Sequence, residues 1–321
     1  MLMTLLTLAA GIALLGAGGN FLVDGSASVA RRAGVSPLFI GLTLMGLGTS
    51  APELATSLTA ASRGSEGIAL GNIIGSNIAN VLLVGGATAL LFGALGVTRA
   101  QLLRDGGFGV FVAALLLVAL NTTGLVPVWG VAFLTLICLY LYVCLKQERV
   151  APVAVSAPGE GNEAQGASAD GGPGAALSGL LALGGLIAIL VGARFTVDAA
   201  VDIARAFNLS EASVGLTIVA VGTSLPEIAA SFIAAIRGMA AMAVGNILGS
   251  NIFNILLIGG TIAFAANGET PPDIARIDAP TALGAAILLV VVAMPKSRIG
   301  SVAGGVMVAA YALYLASLAW R

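Results

Sequence analysis

The sequence of 321 residues contains no histidine, and only 9% of its residues are charged. Without histidine the chain lacks the commonest transition-metal ligand and the usual side-chain switch near neutral pH. A serine hydrolase would also lack its usual general base. Soluble domains carry roughly 25% charged residues, so this chain cannot cover a globular surface with water-facing side chains. We therefore expect neither a soluble domain nor an enzyme.

Cysteine and positive charge are scarce as well. The two cysteines, Cys138 and Cys144, fall inside one apolar segment, where lipid-embedded small side chains are commoner than a disulfide or a thiolate site. The formal net charge of −1 provides no basic surface for nucleic acid. We expect no nucleic-acid partner and no bound cofactor.

Apolar residues dominate what is present. Hydrophobic residues make up 58% of the chain, the mean hydropathy is +1.05 and 44 residues are glycine. The apolar runs repeatedly exceed the ~18 residues that identify a membrane-spanning helix, and small residues let such helices approach closely. Ten spans are predicted, near residues 2–23, 35–62, 67–94, 105–121, 126–145, 177–197, 210–236, 241–266, 279–294 and 300–319.

The middle of the chain divides these spans into two groups of five. Residues 147–176 are rich in Ala, Gly, Pro, Ser and Glu, a composition that cannot bury enough apolar area to order itself. We predict a flexible linker between units 1–146 and 177–321. With both termini outside, nine of the 14 Lys and Arg residues fall on the inner side. The positive-inside rule therefore predicts a cytoplasmic linker in a multi-pass protein of the plasma (inner) membrane.

The two units repeat one another at an offset of 174 residues. Residues 41–86 and 215–260 share 27 identities over 46 positions, which chance does not produce even in apolar stretches. Because each unit has an odd number of spans, the second must lie inverted relative to the first. Inverted repeats place substrate near the bilayer midplane, between the halves. The predicted fold class is all-α: a polytopic membrane protein of about ten helices in two inverted five-helix repeats.

One repeated block joins a proline to a glutamate, in residues 48–53 and again in 222–227. Proline lacks an amide proton and frees a carbonyl four residues earlier. In lipid such a carbonyl needs a partner. Glu53 and Glu227 follow directly, and a carboxylate at mid-membrane costs ~2.5–3.5 kcal/mol. Carbonyls, hydroxyls and a carboxylate thus converge twice, an all-oxygen set that suits Ca²⁺ or Na⁺ better than zinc or copper.

A second repeated block runs from Gly71 to Asn80 and again from Gly245 to Asn254. Four-residue spacing places Asn72, Ser76 and Asn80 on one helix face, and the second copy does the same. Small and amide residues can simply hold membrane helices together. We favour a site role for Ser76, Asn80, Ser250 and Asn254.

These blocks resemble the alpha-repeats of the sodium/calcium exchanger family, within the calcium/cation antiporter superfamily. The resemblance covers nearly the whole chain and corresponds to the prokaryotic type without calcium-sensing domains. It implies a secondary antiporter that exchanges Ca²⁺ for Na⁺ by alternating access, with spans one and six as long, peripheral, sliding helices. It also implies that both ions bind alternately at one set of ligands, here Glu53, Glu227, Thr49, Thr223, Ser50, Ser224, Ser76, Ser250 and the carbonyls of Gly46 and Ala220.

Two departures bear on the coupling ion. Many family members carry an aspartate where this chain has Asn254, which leaves the ion stoichiometry open and disfavours potassium dependence. Proton/calcium exchangers carry an acidic residue within the Gly-Asn block, where this chain has Gly75 and Gly249. Na⁺ is therefore the expected coupling ion, with an H⁺/Ca²⁺ antiporter as the alternative. A cation channel could use the same ligands without obligatory exchange. We expect the protein to function as a monomer in the bilayer.

Overall fold

The computed structural model describes residues 2–150, 174–207 and 222–318, and all structural statements below concern these residues. Backbone amides and carbonyls in hydrocarbon must pair within their own segment, so apolar stretches of this length fold as helices. The helices of the first unit are α1 Leu2–Ala33, α2 Pro37–Thr49, α3 Ala51–Ser62, α4 Glu66–Phe92, α5 Arg99–Thr122 and α6 Pro127–Val150. Those of the second unit are α7 Ala175–Ala206, α8 Leu225–Ile236, α9 Ala240–Ile262, α10 Ile274–Ala293 and α11 Ser301–Leu318.

Eight of these helices are long and apolar enough to cross a membrane by themselves. Helices α2 and α3 form one further span, bent by 43°. Helix α8 lies at the end of the span predicted at 210–236, and the first part of that span falls outside the described residues. The chain is therefore a multi-pass helical membrane protein, while the full count of ten remains a prediction.

Helices α1 and α7 are much longer than the spans predicted at 2–23 and 177–197, since each has 32 residues. The predicted spans end just before Asp24 and Asp198, and these ends were wrong because both helices continue past them. Both aspartates lie within continuous helix. At 1.5 Å per residue each helix is about 48 Å long, which exceeds the ~30 Å hydrocarbon core.

Helices α1 and α7 pack against each other in antiparallel directions through small residues. A Cβ atom on Gly11 would lie 2.9 Å from the carbonyl oxygen of Gly192, and one on Gly25 would lie 2.5 Å from the amide nitrogen of Ala182. Between these points, a Cβ on Gly18 would lie 2.8 Å from the carbonyl oxygen of Gly185. Because only glycine allows backbones this close, α1 and α7 form one tightly packed helix pair.

The remaining helices of the two units interlock. The end of α4 packs on α11, where a Cβ on Gly304 would lie 2.5 Å from the carbonyl oxygen of Gly86. In the related contact, α9 packs on α6, where a Cβ on Gly130 would lie 2.9 Å from the carbonyl oxygen of Gly260. Helices α5 and α10 also touch. A two-residue strand pair, β1 Leu95–Gly96 with β2 Arg298–Ile299, joins loops of the two units.

Within the described part of the chain, five helical segments widen locally into π-helix, a form that is frequent at functional sites. Two of them occupy related places in the second repeated block and begin at Asn80 and Asn254. The sequence analysis did not foresee them. The five segments are Gly41–Met45, Asn80–Gly85, Leu102–Gly106, Asn254–Gly259 and Ile274–Asp278.

A buried ionic network joins α5, α6 and the start of α2. Asp105 is fully buried and accepts hydrogen bonds from Nε (2.7 Å) and Nη2 (2.9 Å) of Arg104 and from the hydroxyl of Tyr140 (2.8 Å). Arg104 also lies 3.6 Å from Glu148. Glu148 in turn accepts from the backbone amide of Ser36 (2.8 Å), the N-cap residue of α2. The network thus fixes the first turn of α2 to two other helices.

We expect Asp105→Asn to lower the free energy of unfolding by about 3–5 kcal/mol, because it leaves the charge of Arg104 without its buried partner. The matched control is Asp273→Asn, which alters an exposed aspartate and should change stability by less than about 0.5 kcal/mol. Denaturant unfolding in detergent measures both. Equal stabilities for the two variants would contradict the assigned role of Asp105.

Candidate cation-binding site

The helix break between α2 and α3 positions the first glutamate. Ser50 leaves the helical region at ψ 4°, and Pro52 is the second residue of α3. Glu53 therefore lies in the first turn of α3. The second unit repeats this geometry, with Ser224 at ψ 2° and Glu227 in the first turn of α8. A proline in the first helical turn sacrifices no internal hydrogen bond, and the positive end of each helix dipole favours the carboxylate beside it.

Glu53 and Glu227 are both buried. Each is 1% exposed, and none of their four carboxylate oxygens accepts a hydrogen bond from a described residue. Burying a charge is costly unless it is paired. Among the described residues, no three or more His, Cys, Asp or Glu side chains form a cluster. The negative charge of the candidate site therefore comes from Glu53 and Glu227.

Helix α9 reaches the site by touching the backbone of α2. A Cβ on Gly249 would lie 2.1 Å from the carbonyl oxygen of Leu42, and one on Gly245 would lie 2.3 Å from that of Leu38. Real Cβ atoms do not come so close to backbone oxygen. The two glycines therefore allow the second repeated block of one unit to lie directly against the first block of the other.

This contact brings predicted ligands from both units together. The hydroxyls of Thr49 and Ser250 lie 3.2 Å apart. Ser250 donates to the carbonyl of Gly46 (3.3 Å), which also accepts from the amide of Ser50 (3.2 Å). Thr49 additionally lies 3.4 Å from Oδ1 of Asn246. Three residues that the sequence analysis placed at one site, Gly46, Thr49 and Ser250, are thus in direct contact.

Two asparagines that were not among the predicted ligands hold the glutamate-bearing turns. Asn72 donates to the backbone carbonyl of Glu53 (3.3 Å) and to the hydroxyl of Ser57 (2.9 Å). Asn246 repeats both bonds, to Glu227 (3.4 Å) and Ser231 (3.0 Å). Each asparagine locks the helix that carries the glutamate to the neighbouring helix. The sequence could have indicated these hydrogen bonds, because both serines and both asparagines are identical between the repeats.

The amides of Asn80 and Asn254 are buried where their π-helical segments begin. Asn254 donates to Oδ1 of Asn77 (3.3 Å), which links α9 to α4. Oδ1 of Asn254 and both polar atoms of Asn80 have no hydrogen-bond partner among the described residues. These amides leave oxygen atoms available inside the protein, as a ligand role requires.

The remaining predicted ligands can also be located. Ser50, Ser76 and Ser224 are buried, and the hydroxyls of Ser50 and Ser224 have no partner among the described residues. Thr223 is half-buried next to Ser224. Ala220 lies outside the described residues. Ion binding by this set of residues remains a prediction.

We expect Gly249→Ala to lower the free energy of unfolding by about 1–3 kcal/mol or more, because its methyl group would collide with the backbone of α2. The same change should separate Ser250 from Thr49 and weaken Ca²⁺ binding. Gly284→Ala is the control, since a Cβ there meets no atom within 4 Å. Calorimetry of Ca²⁺ binding and thermal unfolding would test both effects, and unchanged binding in Gly249→Ala would contradict this prediction.

Known proteins are similar to this chain in both sequence and fold. The family model described as sodium/calcium exchanger protein matches residues 3–146 and 177–320, on either side of the predicted linker. The inner membrane protein YrbG of Escherichia coli is 32% identical over 322 residues, covering 100% of this chain and 98% of its own. The sodium/calcium exchanger MaX1 of Methanosarcina acetivorans is 31% identical over 290 residues, covering 79% of this chain and 81% of its own.

A solved structure of the sodium–calcium exchanger NCX_Mj superposes with a TM-score of 0.81 at 31% identity, over 99% of both chains. The sequence match and the structural match both extend over nearly the whole chain, so neither depends on the repeated blocks alone. The chain is a polytopic transporter that belongs to the sodium/calcium exchanger family.

Proposed function

We propose that this protein is an antiporter that exchanges Ca²⁺ for Na⁺ across the plasma membrane. The observation that carries the proposal is the pair of buried glutamates, one from each unit, whose oxygens have no partner among the described residues. Hydroxyl and carbonyl oxygens of Thr49, Ser250 and Gly46 meet next to the helix break that precedes Glu53, and Ca²⁺ accepts six to eight oxygen ligands. A cation bound between Glu53 and Glu227 would supply the charge that these side chains lack.

The charge of the site sets the expected stoichiometry. Two carboxylates neutralise one Ca²⁺, and the amides of Asn80 and Asn254 add no charge. If three Na⁺ replace one Ca²⁺, the loaded site carries one net positive charge and exchange generates current. An H⁺/Ca²⁺ antiporter is the alternative, because two protons would neutralise the same carboxylates and leave the exchange electroneutral.

The shared site also accounts for coupling between the ions. Glu53 and Glu227 can neutralise Ca²⁺ or its counter-ions, but not both sets at once, because each ion needs the same oxygens. The relation between the two units supplies two access states around this fixed site, as in other transporters built from inverted repeats. We further propose that a single chain contains the full transport pathway, with both termini outside and residues 147–176 in the cytoplasm.

Calcium flux into proteoliposomes tests the coupling ion. With an imposed Na⁺ gradient and no pH gradient, we expect Ca²⁺ to accumulate and the rate to depend on membrane potential. With a pH gradient and no Na⁺, we expect no accumulation. Uptake driven by protons alone would replace Na⁺ with H⁺ as the coupling ion, and ion flow without countertransport would indicate a channel.

Glu53→Gln and Glu227→Gln should each reduce Ca²⁺ exchange by about a hundredfold or more, because each removes one of two charges facing a divalent ion in a low-dielectric site. Both variants should still insert and remain monodisperse in detergent. The control is Glu269→Gln, which changes an exposed glutamate and should exchange like the parent protein. Normal exchange by either site variant would remove that glutamate from the site.

A further inference from the structure

An ion pair ties α1 to the end of α8. Nη2 of Arg237, the C-cap residue of α8, lies 3.4 Å from a carboxylate oxygen of Asp24. The same guanidinium donates through Nε (3.1 Å) and Nη2 (2.5 Å) to the side-chain oxygen of Asn20. One turn away, a Cβ on Gly19 would lie 2.7 Å from the side chain of Ile233. Helix α1 therefore packs closely on α8 at this end of the molecule.

The repeat relation defines an equivalent pair at the other end. An offset of 174 residues relates Asp24 to Asp198 and relates Arg237 to Arg63. This second pair is not formed: Asp198 pairs with Arg194 on its own helix at 3.7 Å, and Arg63 makes no ion pair within the described part of the chain. Helix α7 likewise lacks packing on α3 comparable to that of α1 on α8. The two units thus differ at an aspartate–arginine pair that the repeat relates, and they also differ at the residue beside it, where Asn20 of the first unit corresponds to Arg194 of the second.

The tight packing of α1 on α7 connects these two contacts mechanically. Because the helices are antiparallel, Asp24 lies level with about residue 182 of α7, and Asp198 lies about 16 residues, or ~24 Å, further along the pair. The helix pair therefore carries one aspartate towards each end. A movement that brings Asp198 to Arg63 would carry Asp24 away from Arg237, since glycine-packed backbones resist sliding past each other.

We propose that Asp24–Arg237 and Asp198–Arg63 are alternating latches that select between the two access states of the transporter. This proposal rests on the exchange function only in that both states must be visited during transport. The formed latch stabilises the state seen here, and the open one closes in the opposite state. The residues act as positioning residues: they do not touch the ions, and they set the relative population of the two arrangements.

Crosslinking tests this without relying on transport. In protein lacking cysteine (Cys138→Ala, Cys144→Ala), Arg63→Cys and Asp198→Cys are introduced together and treated with a short bis-maleimide. Adding Arg237→Gln should raise the crosslinking yield about two- to fivefold, as expected for loss of an exposed ion pair. Reciprocally, Arg63→Gln should raise the yield between Asp24→Cys and Arg237→Cys.

Three comparisons make the outcome decisive. Arg237→Lys keeps the charge and should return the yield towards that of the parent. Arg276→Gln removes an exposed arginine with no ion pair among the described residues and should leave the yield unchanged. If the crosslinking yield stays constant with Arg237→Gln, or rises equally with Arg276→Gln, the two ion pairs do not act as alternating latches. Absence of Ca²⁺ flux in the parent would instead overturn the proposed function and leave the crosslinking result valid.

Discussion

Two carboxylates held inside a membrane protein, with no ion pair to a positive side chain among the described residues, are the constraint around which this molecule is arranged. Glu53 and Glu227 are each 1% exposed, and their oxygens are unpaired among the described residues. Retaining such groups costs stability. Sites of this kind persist when function requires them. The helix breaks, the asparagine bonds and the surrounding hydroxyls hold this pair in place without neutralising it.

Glycine makes that arrangement sterically possible. The contact between α2 and α9 depends on Gly245 and Gly249, and without it Thr49 and Ser250 could not lie in hydrogen-bond range. Close backbone contact at glycines also joins the two long helices α1 and α7 into one tightly packed helix pair. In water a glycine-rich helix would be weak. Within lipid, close backbone approach recovers the packing that side chains would otherwise provide.

The sequence was most informative where repetition and chemistry coincided. The duplicated glutamates, the proline break and a site role for Ser250 followed from the repeated blocks, because identical residues at a fixed offset indicate similar structural roles. The resemblance to the exchanger family added Gly46 and Thr49 to the same site. The resemblance implied long helices for spans one and six, but the bounds predicted at 2–23 and 177–197 stop short of Ala33 and Ala206, because both helices continue through charged residues. The π-helical segments and the network around Asp105 were missed because they depend on contacts between distant segments, which local pattern does not encode.

The interlocking of the two units makes each one depend on the other for packing. Helix α4 of the first unit packs on α11 of the second, and α9 of the second packs on α6 of the first. Each unit therefore completes its own packing with the last helix of the other. A single copy of such a unit would leave these surfaces exposed unless it met a second copy. The two copies in this chain are therefore bound to each other by packing, while positions outside these surfaces differ between them, as Asn20 and Arg194 do.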